Sequence, residues 1–505
     1  MLSWVIATAA LAGPELLLRP DRLDAVAHAS GGDIMRLLEG IGKPEGPLRG
    51  AVTPDTWGEL DPPIIQVLEV TADRTAGTLH VRQAVAFKNP CPGTDLNELT
   101  FRWPVNALPA ATGTLVGASV RGVAVEASLV DGQLLDLKLP ETLPSGAYLP
   151  VVLETEIQVP LRENVQEPRL FFDENMLVAS GFLPFVAACG PQGFDRATWS
   201  GVGDPYAAPS TFLVATVTAG PADAVITSGE PLLLGEDSPF VMVPARDFAV
   251  VVGDLQARAG WAKTAEHRYA VTVHHHNAKK HSKNVQKWAA ASLADISTVF
   301  GPLSIPALDV VLVPFENIGL ELPGMVLIPD GPHAEGPHID QLIVAHEVAH
   351  QWFYGEVGSA VLEEPWVDEA VTMWVALAWL EHREPGLGNR FLAEWAGSMT
   401  EAGVAEVGNG HASLYEDGTF GMVYIRGAMF WDEAHRLLGD DGLKAVLKAW
   451  VQDNRWRDPS GMQLREWLRR AIRARGRDSM ALEEAWNQVM EGQLPDVMPV
   501  LEWPD

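Results

Sequence analysis

His346, Glu347 and His350 form the pattern H-E-x-x-H within residues 341–355, a segment that is otherwise mostly apolar. Because no Pro or Gly interrupts the segment before Gly355, the sequence predicts a buried helix that ends near this glycine. Residues four apart share one face of a helix, so the two imidazoles can hold one zinc ion. The carboxylate between them can then act as a base toward water. The pattern therefore predicts a zinc site.

The alternative is a buried helix in which the same pattern arose by chance. Three polar side chains would then lie in an apolar environment and would each need a buried partner. An unpaired buried carboxylate is costly in free energy. One metal ion with its water would satisfy all three groups together, so the pattern favours the zinc site.

A second predicted helix, residues 366–386, supplies the next candidate ligand. Glu369 lies near its start, and 18 residues separate it from His350. This length allows the first helix to end and the second helix to return. The ligand set becomes His346, His350 and Glu369 with a fourth position open, which is typical of catalytic zinc sites. Alternatively, Glu369 is a solvated carboxylate favoured by the helix dipole, a role that Asp368 fits better.

These two helices resemble those of the gluzincin aminopeptidases, peptidase family M1. Residues 318–328, IGLELPGMVLI, are similar to the family's exopeptidase strand, and the resemblance implies that Glu321 binds the free α-amino group of the substrate. Leu322 and Pro323 stand where the family has an Asn, which leaves the cleavage specificity open. Tyr424, in YIRGAMFW, matches the family's Y-x-K/R-G-A motif. The resemblance implies that its hydroxyl stabilises the oxyanion of the tetrahedral intermediate.

The resemblance implies a zinc-dependent aminopeptidase with one zinc ion bound by His346, His350 and Glu369. Glu347 is then the base that activates water, and peptides are the substrates. Two alternatives stay open. One is a zinc endopeptidase on the same fold, in which Glu321 has only a structural role. The other is a non-catalytic zinc-binding module.

The domain organisation follows from the change in residue pattern along the chain. Residues 62–255 contain strand-like runs separated by turn residues, which predicts a two-layer β-sandwich. This part resembles the saddle-shaped N-terminal domain of the family. Residues 256–505 are expected to form a thermolysin-like, mostly helical zinc-peptidase domain, and residues 14–61 a helical segment with a linker. The predicted fold class is therefore α+β and multidomain.

The chain has 36 Lys and Arg against 66 Asp and Glu, a formal net charge of −30. So acidic a surface repels phosphate backbones and anionic headgroups, so we expect neither nucleic acid nor a membrane surface as a partner. The oligomeric state is not indicated. Residues 1–13 are apolar and end in A-L-A before Gly13, a pattern typical of a secretion signal. They are too short to span a membrane. We therefore expect an exported protein, periplasmic or extracellular, with a cytoplasmic protein as the alternative.

The remaining cysteines and histidines allow weaker predictions. Cys91 and Cys189 form either a disulfide or two reduced thiols. His274, His275, His276 and His281 form a histidine cluster. Adjacent histidines in a strand point to opposite faces, so we do not expect this cluster to share a second metal ion. His333 and His338 are expected on the surface of a loop.

Overall fold

The structure, a computed structural model, describes most of the 505 residues. The predicted signal segment and most of the predicted linker lie outside the described part. Contacts divide the chain into two compact units: Met1–Gly201 with Ala208–Leu255, and Val202–Ala207 with Gln256–Asp505. The first unit is built on β-sheets and the second is mostly helical, which confirms the predicted fold class. The described residues are 21–33, 64–199, 201, 203–205, 209–231, 238–316, 318–402, 420–490 and 500–504.

The strands of the first unit, here called the β unit, coincide with the runs of alternating and β-branched residues in the sequence. A short helix, α1 (Arg22–Ala27), precedes them. The strands are β1 (Ile65–Asp73), β2 (Thr78–Lys88), β3 (Leu96–Arg102), β4 (Thr112–Val120), β5 (Val123–Ala124), β6 (Ala127–Val130), β7 (Leu134–Leu143), β8 (Tyr148–Gln158), β9 (Leu170–Phe172), β10 (Met176–Ala179), β11 (Phe185–Val186), β12 (Cys189–Gly190), β13 (Gly193–Phe194), β14 (Thr211–Thr218), β15 (Ala224–Thr227), β16 (Glu230–Pro231), β17 (Phe240–Ala245) and β18 (Val250–Gly253).

Three of the sheets in the β unit have four or more strands. The largest has the order β16-β17-β14-β1-β2-β8-β4-β5, and two four-stranded sheets have the orders β15-β18-β10-β9 and β11-β3-β7-β6. Pairing is antiparallel except between β1 and β14, which run parallel. Phe87 of the large sheet packs edge to face on Phe101 of a small sheet, with ring centroids 6.2 Å apart. This contact joins two layers through a shared apolar core.

A disulfide joins Cys91 to Cys189, so the two cysteines are not free thiols. Their Cα atoms are 5.0 Å apart, and 98 positions separate them in the sequence. Cys91 follows β2, and Cys189 belongs to the short hairpin of β12 and β13. The bond therefore links distant parts of the β unit.

The second unit contains the residues predicted from the sequence to be catalytic and is here called the catalytic unit; it combines one mixed sheet with a helical body. The sheet has the order β19-β20-β21-β22. β20 and β21 run parallel, an arrangement that requires a crossover connection, and a helix lies between them in the chain. The strands are β19 (Gln256–Lys263), β20 (Arg268–His275), β21 (Ala307–Val313) and β22 (Met325–Pro329). The helices are α2 (Lys279–Phe300), α3 (Pro337–Ala349), α4 (Trp366–Arg383), α5 (Leu387–Ala402), α6 (Phe420–Leu438), α7 (Asp440–Asn454), α8 (Gly461–Ala474) and α9 (Met480–Ala485).

Two predicted boundaries in the catalytic unit were wrong. Helix α3 ends at Ala349 with His350 as its C-cap, and not near Gly355, because the N–H groups of Gln351 and Trp352 bond to carbonyl oxygens three residues earlier and tighten the chain into a turn. The predicted exopeptidase strand begins only at Met325. The preceding residues fold back as a turn, because Pro323 has no N–H and Gly324 adopts a φ of +79°.

No helix in the described part of the chain is long and apolar enough to cross a membrane.

Candidate metal centre

The three predicted metal ligands converge on one point between α3 and α4. His346 Nε2 and His350 Nε2 each lie 3.2 Å from Glu369 Oε2, and the two imidazole nitrogens lie 3.2 Å from each other. His346, in the last turn of α3, and His350, the C-cap of this helix, face the same side because they are four residues apart, and Glu369 extends from the first turn of α4. Among the described residues, these three side chains form the one group of His, Cys, Asp and Glu with converging ligand atoms.

The chemistry of these atoms fits a zinc ion. His350 Nδ1 lies 3.0 Å from the Phe353 carbonyl oxygen and can donate a hydrogen bond to it. This hydrogen bond leaves the lone pair of Nε2 directed at the cluster, as in metal-bound histidines. Two imidazole lone pairs and one carboxylate form the donor set of a catalytic zinc site with one open position. The residues present therefore fit the ion.

Burial and charge act in opposite directions on the ligands. Burial lowers the pKa of His346. Burial also opposes the charged form of His350, but the Glu369 carboxylate outweighs it and raises the pKa of His350. Burial alone would raise the pKa of Glu369, yet the two histidines hold it well below its ordinary value. The carboxylate is therefore ionised and available to a cation.

Glu347 is buried beside the ligands on α3, with an exposed fraction of 5%. Burial raises the pKa of this carboxyl to about 8. Its Oε2 atom has no hydrogen-bond partner among the described residues. A Cβ atom on Gly319 would overlap with the Glu347 carboxylate, so only glycine allows the backbone to approach this closely. Glu347 can accept a proton from water bound in the open space of the site.

Tyr424 reaches the same centre from α6. Its hydroxyl donates a hydrogen bond of 2.7 Å to Glu369 Oε1, and its ring lies 5.6 Å from that of His346. The glycine of the Y-x-R-G-A motif explains this approach: a Cβ atom on Gly427 would overlap with the Cβ atom of Ala370. Gly427 therefore allows α6 to pack closely on α4, which brings the phenol to the ligand.

Glu321 is buried in the turn before β22, with an exposed fraction of 7%. Burial raises its pKa well above the ordinary value, and the neighbouring Asp204 carboxyl, which shares a hydrogen bond with it, adds to the shift. The charges of His350 and Glu347 also act on Glu321, and the backbone at Gly319, two residues earlier, lies against the Glu347 carboxyl. Asp204 was not predicted. It lies in the segment Val202–Ala207, which joins the catalytic unit although its neighbours in sequence belong to the β unit.

Three of the four histidines in the predicted histidine cluster have local partners. His274 lies 2.7 Å from Asp309, and His281 lies 3.1 Å from the Pro329 carbonyl oxygen. His276 is hydrogen-bonded to Asn277. The prediction for His338 was wrong, because it lies in the first turn of α3 and not in a loop, 3.3 Å from Glu384. His333 precedes the helix and is half-buried.

Comparisons with known proteins agree with this site. The model of the peptidase family M1 domain matches residues 299–489. Aminopeptidase N of Lactobacillus delbrueckii subsp. lactis is 26% identical over 149 residues, which are 28% of this chain and 18% of that protein. The chain is thus matched over less than a fifth of this curated relative.

Solved structures show the same fold. The M1 zinc metallopeptidase of Deinococcus radiodurans has a TM-score of 0.64 at 17% identity, over 86% of this chain and 94% of that one. A mutant of that enzyme bound to a Tyr-Ser-Ala substrate has a TM-score of 0.62 at 17% identity, over 88% and 97% of the two chains. The comparisons therefore show a match to the peptidase family M1 domain over residues 299–489, the part of the chain that carries the converging His, His and Glu ligands.

Proposed function

We propose that this protein is a zinc-dependent aminopeptidase that removes N-terminal residues from peptides. One observation carries the proposal: His346, His350 and Glu369 direct their ligand atoms at a single point, with the Glu347 carboxyl buried next to them. Burying such a cluster of polar groups costs free energy unless a cation binds to it. Clusters of this kind with perturbed pKa values are typical of functional sites. The curated relative is called aminopeptidase N and the solved neighbours are called zinc metallopeptidases, which supports the proposal.

Zinc, when bound, acts as a Lewis acid that polarises the scissile carbonyl and makes water more acidic. The Glu347 carboxylate accepts a proton from the attacking water and passes it to the leaving amine. The Tyr424 hydroxyl is a hydrogen-bond donor for the carbonyl oxygen as its negative charge grows. In the free protein this donor is held on Glu369 Oε1, so it must turn from the ligand to the substrate.

Glu321 is the group proposed to bind the N-terminal ammonium of the peptide. A carboxylate at this place would hold the first peptide bond at a set distance from the ligands. The buried Glu321 and the half-buried Asp204 form an acidic pair that shares a hydrogen bond, and an ammonium is a suitable cation for such a pair. This supports cleavage at the N-terminus over cleavage within a chain.

The test compares peptides that have a free α-amine with the same peptides after N-acetylation, together with metal analysis of the purified protein. We expect stoichiometric zinc, hydrolysis of the free peptides and a large loss of kcat/KM with the acetylated ones. Equal hydrolysis of both would indicate an endopeptidase instead. Zinc without hydrolysis of any peptide would indicate the binding module.

We also propose that the protein is exported. The disulfide between Cys91 and Cys189 supports this proposal, because such bonds persist in oxidising compartments and are rare in the cytosol. Cell fractionation followed by mass analysis of the two cysteines is the test. We expect an oxidised pair in the exported fraction, and reduced thiols in a cytosolic fraction would contradict the proposal.

A further inference from the structure

Gln351 follows the second histidine ligand and connects the metal centre to the turn that carries Glu321. Its side chain is buried, with an exposed fraction of 2%. Gln351 Oε1 accepts a hydrogen bond of 2.8 Å from the Gly324 N–H, and Nε2 donates one of 3.2 Å to the Leu322 carbonyl oxygen. Both ends of the amide therefore bind the backbone of one turn.

The turn depends on this side chain for part of its hydrogen bonding. Before the turn, Leu320 exchanges two backbone hydrogen bonds with Leu327, of 3.0 and 2.9 Å. Within it, the Leu322 carbonyl oxygen also accepts a bond of 2.9 Å from the Met325 N–H. Glu321 lies between Leu320, which is paired with Leu327, and Leu322, whose carbonyl oxygen is bound by Gln351. The backbone that carries the Glu321 carboxyl is thus held on both sides of this residue.

We infer that Gln351 is a positioning residue that sets the distance between Glu321 and the metal ligands, and thereby the preference for a free α-amine. The inference rests on the proposed aminopeptidase function. Gln351 is the neighbour of His350 in the chain, so a shift of the turn relative to Gln351 is a shift relative to the ligands. Positioning of this kind matters at the scale of 1 Å. Gln351 acts only through Glu321 and does not itself contact substrate.

Gln351→Met is the main test, because methionine keeps the length of the side chain and removes both hydrogen bonds. The measured quantity is the ratio of kcat/KM for an aminoacyl anilide to kcat/KM for its N-acetylated form. We expect this ratio to fall at least about tenfold in Gln351→Met, mainly through a higher KM, while zinc stays stoichiometric. Glu321→Gln gives the size of the complete loss, and Gln351→Glu, which keeps the acceptor for Gly324, should give an intermediate ratio.

Trp352→Phe is the matched control. Trp352 is the next residue, is fully buried and donates a hydrogen bond of 2.9 Å to the Gly301 carbonyl oxygen, away from the turn. Loss of this hydrogen bond in Trp352→Phe should lower the unfolding temperature without changing the ratio of the two kcat/KM values. An unchanged ratio in Gln351→Met, or loss of zinc in step with activity, would overturn the role of Gln351 alone. A wild-type protein with no preference for the free amine would overturn the proposed function as well.

Discussion

The β unit and the catalytic unit bury polar side chains in different ways. In the β unit, Gln83 donates hydrogen bonds to Gln66 Oε1 and to the Pro184 carbonyl oxygen, and Gln66 donates one to Thr211. These groups are neutral, and their amide N–H donors find acceptors within the protein. In the catalytic unit the buried groups around α3 and α4 are imidazoles and carboxyls whose lone pairs face each other.

This difference separates structural from functional burial. A neutral amide loses little when it exchanges water for a protein partner. A carboxylate that faces two imidazoles in a dry site is costly unless a cation joins them. Under the proposed function, the metal ion and the substrate supply the missing positive charge. The predictions below test the contrast, from the largest expected effect to the smallest.

Replacement of Glu347 by glutamine should have the largest effect. The amide keeps the size of the side chain and cannot accept a proton, so we expect kcat to fall by about a thousandfold or more while zinc is retained. Steady-state kinetics and metal analysis measure the two quantities. The control is Gln341→Met, because Gln341 lies on the same helix as Glu347. This variant removes the partly buried hydrogen bond from Gln341 to Glu384 and should keep kcat. Full activity of Glu347→Gln would refute the assignment of the base.

Loss of the disulfide should affect stability and not catalysis. The double variant Cys91→Ser, Cys189→Ser should lose about 2–4 kcal/mol in the free energy of unfolding, because the closed loop is long. Denaturation with and without a reductant measures this loss. Reductant should change the wild-type protein and leave the variant unchanged. A large fall in kcat at a temperature where the variant is folded would contradict the separation of roles.

Removal of zinc should destabilise the catalytic unit selectively. At a zinc concentration 100-fold above Kd, binding contributes about 2.7 kcal/mol to the stability of the folded state. Chelation should therefore increase hydrogen–deuterium exchange in peptides of α3 and α4. Peptides of β1 and β2 are the internal control and should be unchanged. Equal increases in both sets would show that the metal centre does not act on the catalytic unit alone.

Asp432 tests the cost of a buried carboxyl away from the metal. Burial raises its pKa to about 7, so the folded state binds this proton more tightly than the unfolded state. The folded state is therefore favoured at low pH and loses stability as the pH rises from about 4 to about 7. Asp432→Asn should be more stable than wild type, by about 2 kcal/mol more at pH 8 than at pH 5.

Urea denaturation at the two pH values measures this difference. Asp453→Asn, at an exposed position of α7, is the control and should change stability by less than about 0.5 kcal/mol at both pH values. If Asp432→Asn changed the free energy of unfolding equally at pH 5 and pH 8, ionisation of the buried Asp432 carboxyl would not destabilise the folded state as we propose.

Local patterns predicted the elements that hold the ligands. The apolar run around His346 and His350 and the helix after Trp366 were both found close to their predicted positions, because local periodicity determines which residues share a helix face. The end of α3 was missed, because it depends on the tight turn that follows His350, which residue type alone does not indicate. The roles of Glu321 and Tyr424 could be predicted only through the resemblance to a family.

The sequence by itself determined which residues could bind zinc, since residue type and spacing along one helix specify a face and a donor set. Only the tertiary structure decided which distant groups meet there. Asp204 and Gln351 have no pattern that marks them, because their partners, Glu321 and the turn after it, lie far away in the sequence. Contacts of this kind depend on how elements pack, and packing is a property of the whole chain.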